Sequence, residues 1–75
     1  PESDAIALAD REELVAEIRK LSPVHREALT LTFFHELRYE EVAEILEVPI
    51  GTVKSRLSNA KRALRTLLGS KEENQ

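Results

Sequence analysis

The sequence contains no cysteine. Disulfides and thiolate metal sites are therefore excluded, and nothing points to an oxidising compartment. Its two histidines, His25 and His35, are not at ligand spacing. With no cysteine to join them, no metal or other cofactor is expected. No apolar run approaches the ~18 residues that a membrane span needs, so no membrane insertion is expected. There is no signal-peptide h-region, no internal repeat and no low-complexity tract. What remains suits one small folded domain: 75 residues, 41% hydrophobic and 33% charged, too apolar and too patterned for a disordered tail. A chain that opens at Pro1 without a methionine reads as a piece of something longer.

Another absence is local. From Val48 to Lys71 there is no carboxylate, while Lys54, Arg56, Lys61, Arg62, Arg65 and Lys71 supply six cations. From Pro1 to Glu47 the balance is reversed, with twelve acidic residues against five basic ones. The net charge of −3 conceals this asymmetry. A basic stripe is the electrostatic footprint of a polyanion partner. A merely solvated helix face is the plainer reading of most charge runs, but a stretch this long without an acid is unusual for one.

The periodicity predicts helices and no strands. A first helix runs from about Ser3 or Asp10 to Lys20, with Leu14, Val15, Ile18 and Leu21 at helical spacing. Asp10 and Glu13 form a capping-box pattern. A second starts at Ser22-Pro23, a cap followed by a residue suited to the first turn. It continues through Ala28, Leu29, Leu31 and Phe33 to Phe34 or His35, and His35-Glu36-Leu37 connects onward. A third spans Tyr39 to Leu46, with Glu40 and Glu41 in its first turn, where carboxylates favour the dipole. Val48-Pro49 interrupts the pattern. The fourth runs from Ile50 or Gly51 to Leu68, where Gly69 and Ser70 end it. The expectation is an all-α, compact four-helix domain with a C-terminal helix-turn-helix. Residues 1–20 form the end of a linker plus the first helix, 21–70 the helix-turn-helix core, and 71–75 a disordered tail.

The third and fourth helices carry the chemistry. A short join, small Ala43 at the crossing and apolar Val48 in the turn suit a helix-turn-helix, although a generic helical hairpin gives the same pattern. On the fourth helix Val53, Leu57, Ala60, Leu64 and Leu67 fall on one stripe. Gly51, Ser55, Ser58, Asn59 and Arg62 lie opposite, flanked by Thr52, Lys54, Arg56 and Lys61. Small, polar and cationic residues of this kind fit a major groove. The helix N-terminus suits phosphate, and Gly51 leaves room for one.

These residues resemble a family. The stretch Leu21–Leu68 is similar to region four of bacterial sigma factors of the extracytoplasmic-function (ECF) group, within the sigma-70 family. The resemblance rests on Leu21-Ser22-Pro23, Arg26-Glu27, Leu37 through Leu46, Val48-Pro49-Ile50-Gly51-Thr52-Val53-Lys54-Ser55-Arg56-Leu57 and Ala60 through Arg65. It implies a cytoplasmic transcription-initiation protein. Its partners would be the promoter −35 element, the β flap of the RNA polymerase core and an anti-sigma factor. Carried over by position, Lys54, Ser55, Ser58 and Asn59 face base edges. Thr52, Arg56 and Arg62 hold phosphates or neighbouring bases, and Tyr39 touches the backbone. Two positions depart from the pattern. Arg38 stands where a capping Ser or Thr is common, a loss of ~1 kcal/mol. Glu47 stands where the turn usually has Gly, which implies strain and a negative charge near DNA.

Several readings stay open. Tyr39 suits a phosphate donor or a packing residue. Phe33 and Phe34 suit a polymerase-docking patch or the core. Glu40, Glu41, Glu44 and Glu47 suit a solvated face or a basic partner. His25 and His35 read as packing or partner-facing residues, since no nucleophile is tied to them, and no enzyme is expected. The alternatives to a sigma domain are the DNA-binding effector domain of a response-regulator or quorum-type regulator, and a helical docking module for an anti-sigma factor. Without a region-two module, this stretch alone is not expected to open promoters.

Overall fold

The computed structural model describes residues 5–73, and among them every regular element is helical. The order is α1 (Ala5–Leu8), α2 (Arg11–Ile18), α3 (Pro23–Leu29) running into a π-helical turn (Thr30–Phe34), α4 (Tyr39–Leu46) and α5 (Ile50–Glu73). The all-α expectation holds, with five α-helical segments in place of four.

The extra segment arises because the first helix is divided. Asp10 adopts extended backbone and caps α2: its Oδ1 accepts the Glu13 N–H at 2.8 Å, and Glu13 Oε1 accepts the Asp10 N–H at 3.2 Å. A residue that caps one helix this way cannot also continue another, so Ala5–Leu8 stands as a separate turn. The α2 helix ends at Ile18, before Lys20. Expectations for Pro1 to Asp4 lie outside the described residues.

Ser22 takes the N-cap position of α3 with Pro23 following, but its side chain makes no capping bond. The second helix then widens instead of continuing as α. The His35 N–H donates to the Thr30 carbonyl at 3.2 Å, five residues back. The Thr32 hydroxyl donates to the Ala28 carbonyl at 3.0 Å, which supplies a donor where the widened ladder shifts its own. Glu36 reverses the chain in the left-handed region, at φ 54°. Phe33 and Phe34 are both half-buried against the core, and the Arg11 guanidinium lies 4.7 Å from the Phe34 ring centroid.

The α5 helix is the spine, since each of the other four helices packs on it. At 24 residues it spans ~36 Å. Val53, Leu57, Ala60 and Leu64 are buried as the stripe requires, against Ile18, Leu21, Ala28, Leu29 and Val42. At its far end the stripe turns: Leu68 is buried and Leu67 only half-buried. The expected stop at Gly69-Ser70 is not observed. Neither glycine has a positive φ, and α5 continues through Gly69 to Glu73. Without the left-handed residue of a C-cap, nothing at Gly69 turns the chain away. Of the tail expected over 71–75, residues 71–73 are therefore helical, and 74–75 lie outside the described residues.

Candidate nucleic-acid interface

The candidate surface begins at the turn between α4 and α5. Arg38 occupies the N-cap of α4 and, having no acceptor, cannot cap it with its side chain. Glu41 supplies the reciprocal half of the box: its Oε1 accepts the Arg38 N–H at 2.8 Å. At the other end Glu47 is left-handed, at φ 58° and ψ 47°. The Val48 N–H then returns to the Ala43 carbonyl at 3.1 Å, the closure of a Schellman motif with glutamate where glycine is usual. Val48 and Ala43 both pack on the core, as the helix-turn-helix reading requires.

The α5 helix starts without a side-chain cap. The Pro49 carbonyl accepts the Thr52 N–H at 2.9 Å, and the proline ring offers no acceptor to the first-turn N–H groups. That end of the helix is thus positive and suited to an anion. A Cβ added at Gly51 would meet nothing within 4 Å. Packing therefore does not demand this glycine, and the space beside it is open.

The side chains nominated from the sequence do not form one patch. Lys54, Ser55, Ser58, Asn59 and Arg62 are exposed, and Thr52 and Arg56 are half-buried. On one flank Tyr39, 37% exposed, joins Lys54, Ser58, Lys61 and Arg65 around a hollow of about 320 Å³ with Leu57 at its floor. On the other flank Asn59 and Arg62 line a hollow of about 620 Å³ with Lys20, Ser22, His25 and Thr66. Ser55 belongs to neither hollow and, by helical angle, sits on the crest between them. Thr52 and Arg56 line neither hollow. On the second flank Arg62 Nη1 donates to Asn59 Oδ1 at 3.0 Å.

Arg65, Lys20 and His25 extend the nominated set, and Lys61, read from the sequence as a flanking residue, joins it. Lys61 and Arg65 complete the Tyr39 flank. Their spacing from Lys54 through Ser58, at helical intervals, was a readable signal. Lys20 and His25 approach from the α2–α3 junction, and no pattern within either segment announces that meeting. Tyr39 also lies beside three cations, a setting that suits a phosphate donor more than a packing residue.

Among the described residues, no group of three or more His, Asp or Glu could hold a metal ion. No helix there is long and apolar enough to cross a membrane.

Comparison with known proteins adds a family. Residues 11–64 match the family described as Sigma-70, region 4. The chain is 35% identical over 68 residues to the ECF RNA polymerase sigma factor SigW of Bacillus subtilis, covering 91% of this chain and 36% of that protein. It is 34% identical over 68 residues to the ECF RNA polymerase sigma factor SigK of Mycobacterium sp. (strain JLS), covering 89% and 35%. It is 36% identical over 64 residues to the ECF RNA polymerase sigma-E factor of Salmonella typhimurium, covering 85% and 34%. The chain thus spans about a third of the length of these relatives.

Proposed function

The chain belongs to the sigma-70 region 4 family, in the extracytoplasmic-function group, and from this premise we propose that it binds the −35 element of a promoter with α5 in the major groove while docking on RNA polymerase. The observation that carries the reading is the outer surface of α5. From its uncapped N-terminus to Arg65 it offers small, polar and cationic side chains and no carboxylate, while the same helix is locked from behind by the core.

Each residue then has a task. Lys54, Ser55, Ser58 and Asn59 face base edges. Thr52 and Arg56 hold phosphates or neighbouring bases, Arg62 stands beside Asn59, and Tyr39 with Lys61 and Arg65 holds the backbone along one flank. The task is binding and positioning, with no catalytic role.

For polymerase docking the fitting surface lies elsewhere. Arg11, Arg19, Arg26, Thr30 and Phe34 surround a hollow of about 320 Å³ floored by Val15 and Ile18, and none of these residues belongs to α4 or α5. A polymerase contact there leaves α5 free for DNA. We place the β flap on this side, with an anti-sigma factor as a further partner of the domain.

The deciding experiment titrates fluorescent duplexes carrying permuted −35 elements, with and without RNA polymerase core, at several salt concentrations. Sequence-dependent binding supports the reading. Absence of binding to every duplex at low salt, with polymerase present, excludes it and favours an adaptor that binds only protein.

A further inference from the structure

We propose that Arg62 is a positioning residue for Asn59, and that the pair makes Asn59 a reader of guanine. The inference rests on the DNA-binding reading above and adds a specificity to it.

The starting point is the hydrogen bond from Arg62 Nη1 to Asn59 Oδ1, 3.0 Å long and three residues apart on α5. A guanidinium carries donors and no acceptor. Only the oxygen end of the Asn59 amide can therefore face it, which settles the orientation of an otherwise ambiguous group. The amide NH₂ then points away from Arg62.

The backbone under this pair is well held. Ala60 and Leu64 are fully buried beside it, and the Thr66 hydroxyl donates to the Arg62 carbonyl at 3.1 Å. The amide is thus presented from a fixed segment of helix, and its rotation is what the arginine restricts.

That orientation selects among bases. Asparagine reads adenine by accepting from N6 and donating to N7 at once, which requires its oxygen to face the base. With the oxygen turned to Arg62, the group directed at the groove is a donor. Guanine presents two acceptors there, O6 and N7, and fits a donor alone. In this arrangement Arg62 acts through its neighbour. A simple phosphate clamp would act on every sequence alike.

The test uses the chain itself with a randomised duplex library at low salt, sequencing the bound fraction for four proteins: wild type, Asn59→Ala, Arg62→Ala and Arg62→Gln. Wild type is expected to favour guanine at one position by roughly tenfold, within the range of a good base contact. Asn59→Ala flattens that position. Arg62→Ala flattens the same position, and adding it to Asn59→Ala flattens nothing further. Arg62→Gln carries an acceptor as well as a donor, so it no longer fixes which end of the Asn59 amide faces it, and it is expected to relax the guanine preference while making the salt dependence shallower. In the free protein, Arg62→Ala shifts the Asn59 side-chain amide resonances and Arg62→Gln moves them less.

The overturning results are distinct. If Arg62→Ala weakens all sequences equally and leaves the guanine preference intact, Arg62 is a clamp only. If the position read by Asn59 prefers adenine, the amide is turned the other way. If the Asn59 resonances ignore Arg62→Ala, the pair does not form in solution, whatever DNA does. If wild type enriches no sequence while the amide resonances do respond, the pair stands and the DNA reading, with the guanine assignment, falls.

Discussion

The two helices of the helix-turn-helix differ in almost every respect. The α4 helix has 8 residues and α5 has 24. Glu40 and Glu44 are exposed on α4 and left-handed Glu36 and Glu47 bracket it, while α5 carries no acid from Ile50 to Lys71. One helix is fixed in place by two sharp reversals and presents negative charge. The other is fixed by its apolar stripe and presents positive charge. The contrast gives the domain an orientation on a polyanion. In the proposed complex a phosphate backbone would be drawn to the α5 surface and repelled by the outer face of α4, which would favour one register on DNA before any base is read.

The two faces of α5 differ most in what a carboxylate would cost there. Leu57 is 2% exposed, whereas Ser58 beside it is exposed. Leu57→Asp places an unpaired carboxylate in the core, at a cost of several kcal/mol. In a domain of this size that removes most or all of the stability. Ser58→Asp is expected to leave the thermal melt within about 0.5 kcal/mol of wild type, while weakening DNA binding by repulsion. Circular dichroism melts of the two variants check both. Equal melts would mean that the faces of α5 have been assigned wrongly.

The next effect is electrostatic. If the cations of α5 neutralise roughly four to six phosphates, log affinity falls against log salt with a slope of about −4 to −5. Lys61→Ala and Arg65→Ala are each expected to make that slope shallower by about one while leaving sequence preference unchanged. Glu44→Gln on α4 is expected to leave the slope alone, since that face points away from phosphate. Anisotropy titrations across salt measure all three. A change in slope from Glu44→Gln would place α4 nearer the DNA than this contrast allows.

Different regions were legible to different degrees, for physical reasons. The bounds of α4, the Val48 plug and most of the α5 stripe follow from periodicity and turn chemistry, which are local. The division at Ala9-Asp10 is half visible: the capping box marks the start of α2, but nothing in the pattern marks a separate turn before it. The π widening after Leu29 leaves no mark in the apolar pattern, because Leu31 and Phe33 suit either ladder. The continuation past Gly69 is not legible, because glycine marks a helix end only when it adopts the left-handed conformation, and here it does not. The cations of the interface were legible as a charge run. Their partition into two flanks was not, since Tyr39, Lys20 and His25 reach α5 only through the packing of other helices.

A smaller effect concerns how α4 begins. Glu41 caps it alone, because Arg38 cannot return the bond. Glu41→Ala is expected to destabilise by ~0.5–1 kcal/mol, a drop of about 2–8 °C in melting temperature for a domain this small. Arg38→Ser supplies the missing half of the box and is expected to raise stability by a similar amount. If Arg38→Ser also lowers DNA affinity uniformly, the arginine had been holding a phosphate in exchange for its missing cap.

The smallest effect lies at the other end of α4, where conformation and charge can be separated. Glu47 is an L-residue with a side chain in the left-handed region, which is disfavoured by ~1–2 kcal/mol. Glycine has no such penalty but loses about 0.5–1 kcal/mol more backbone entropy on folding. Glu47→Gly is therefore expected to stabilise by roughly 0.5 kcal/mol net, a rise of about 2–4 °C. Glu47→Ala keeps the Cβ and its strain, so it is expected to give no such rise. Both variants remove a carboxylate close to the N-terminus of α5, and both should tighten DNA binding about two- to fivefold at low salt, with the gain fading as salt rises. Melts report the conformational effect and titrations the electrostatic one. If Glu47→Ala stabilises as much as Glu47→Gly, the strain at this turn is not what glycine relieves. If neither variant tightens binding, Glu47 points away from the DNA, and the acidic α4 and basic α5 meet the duplex on separate sides.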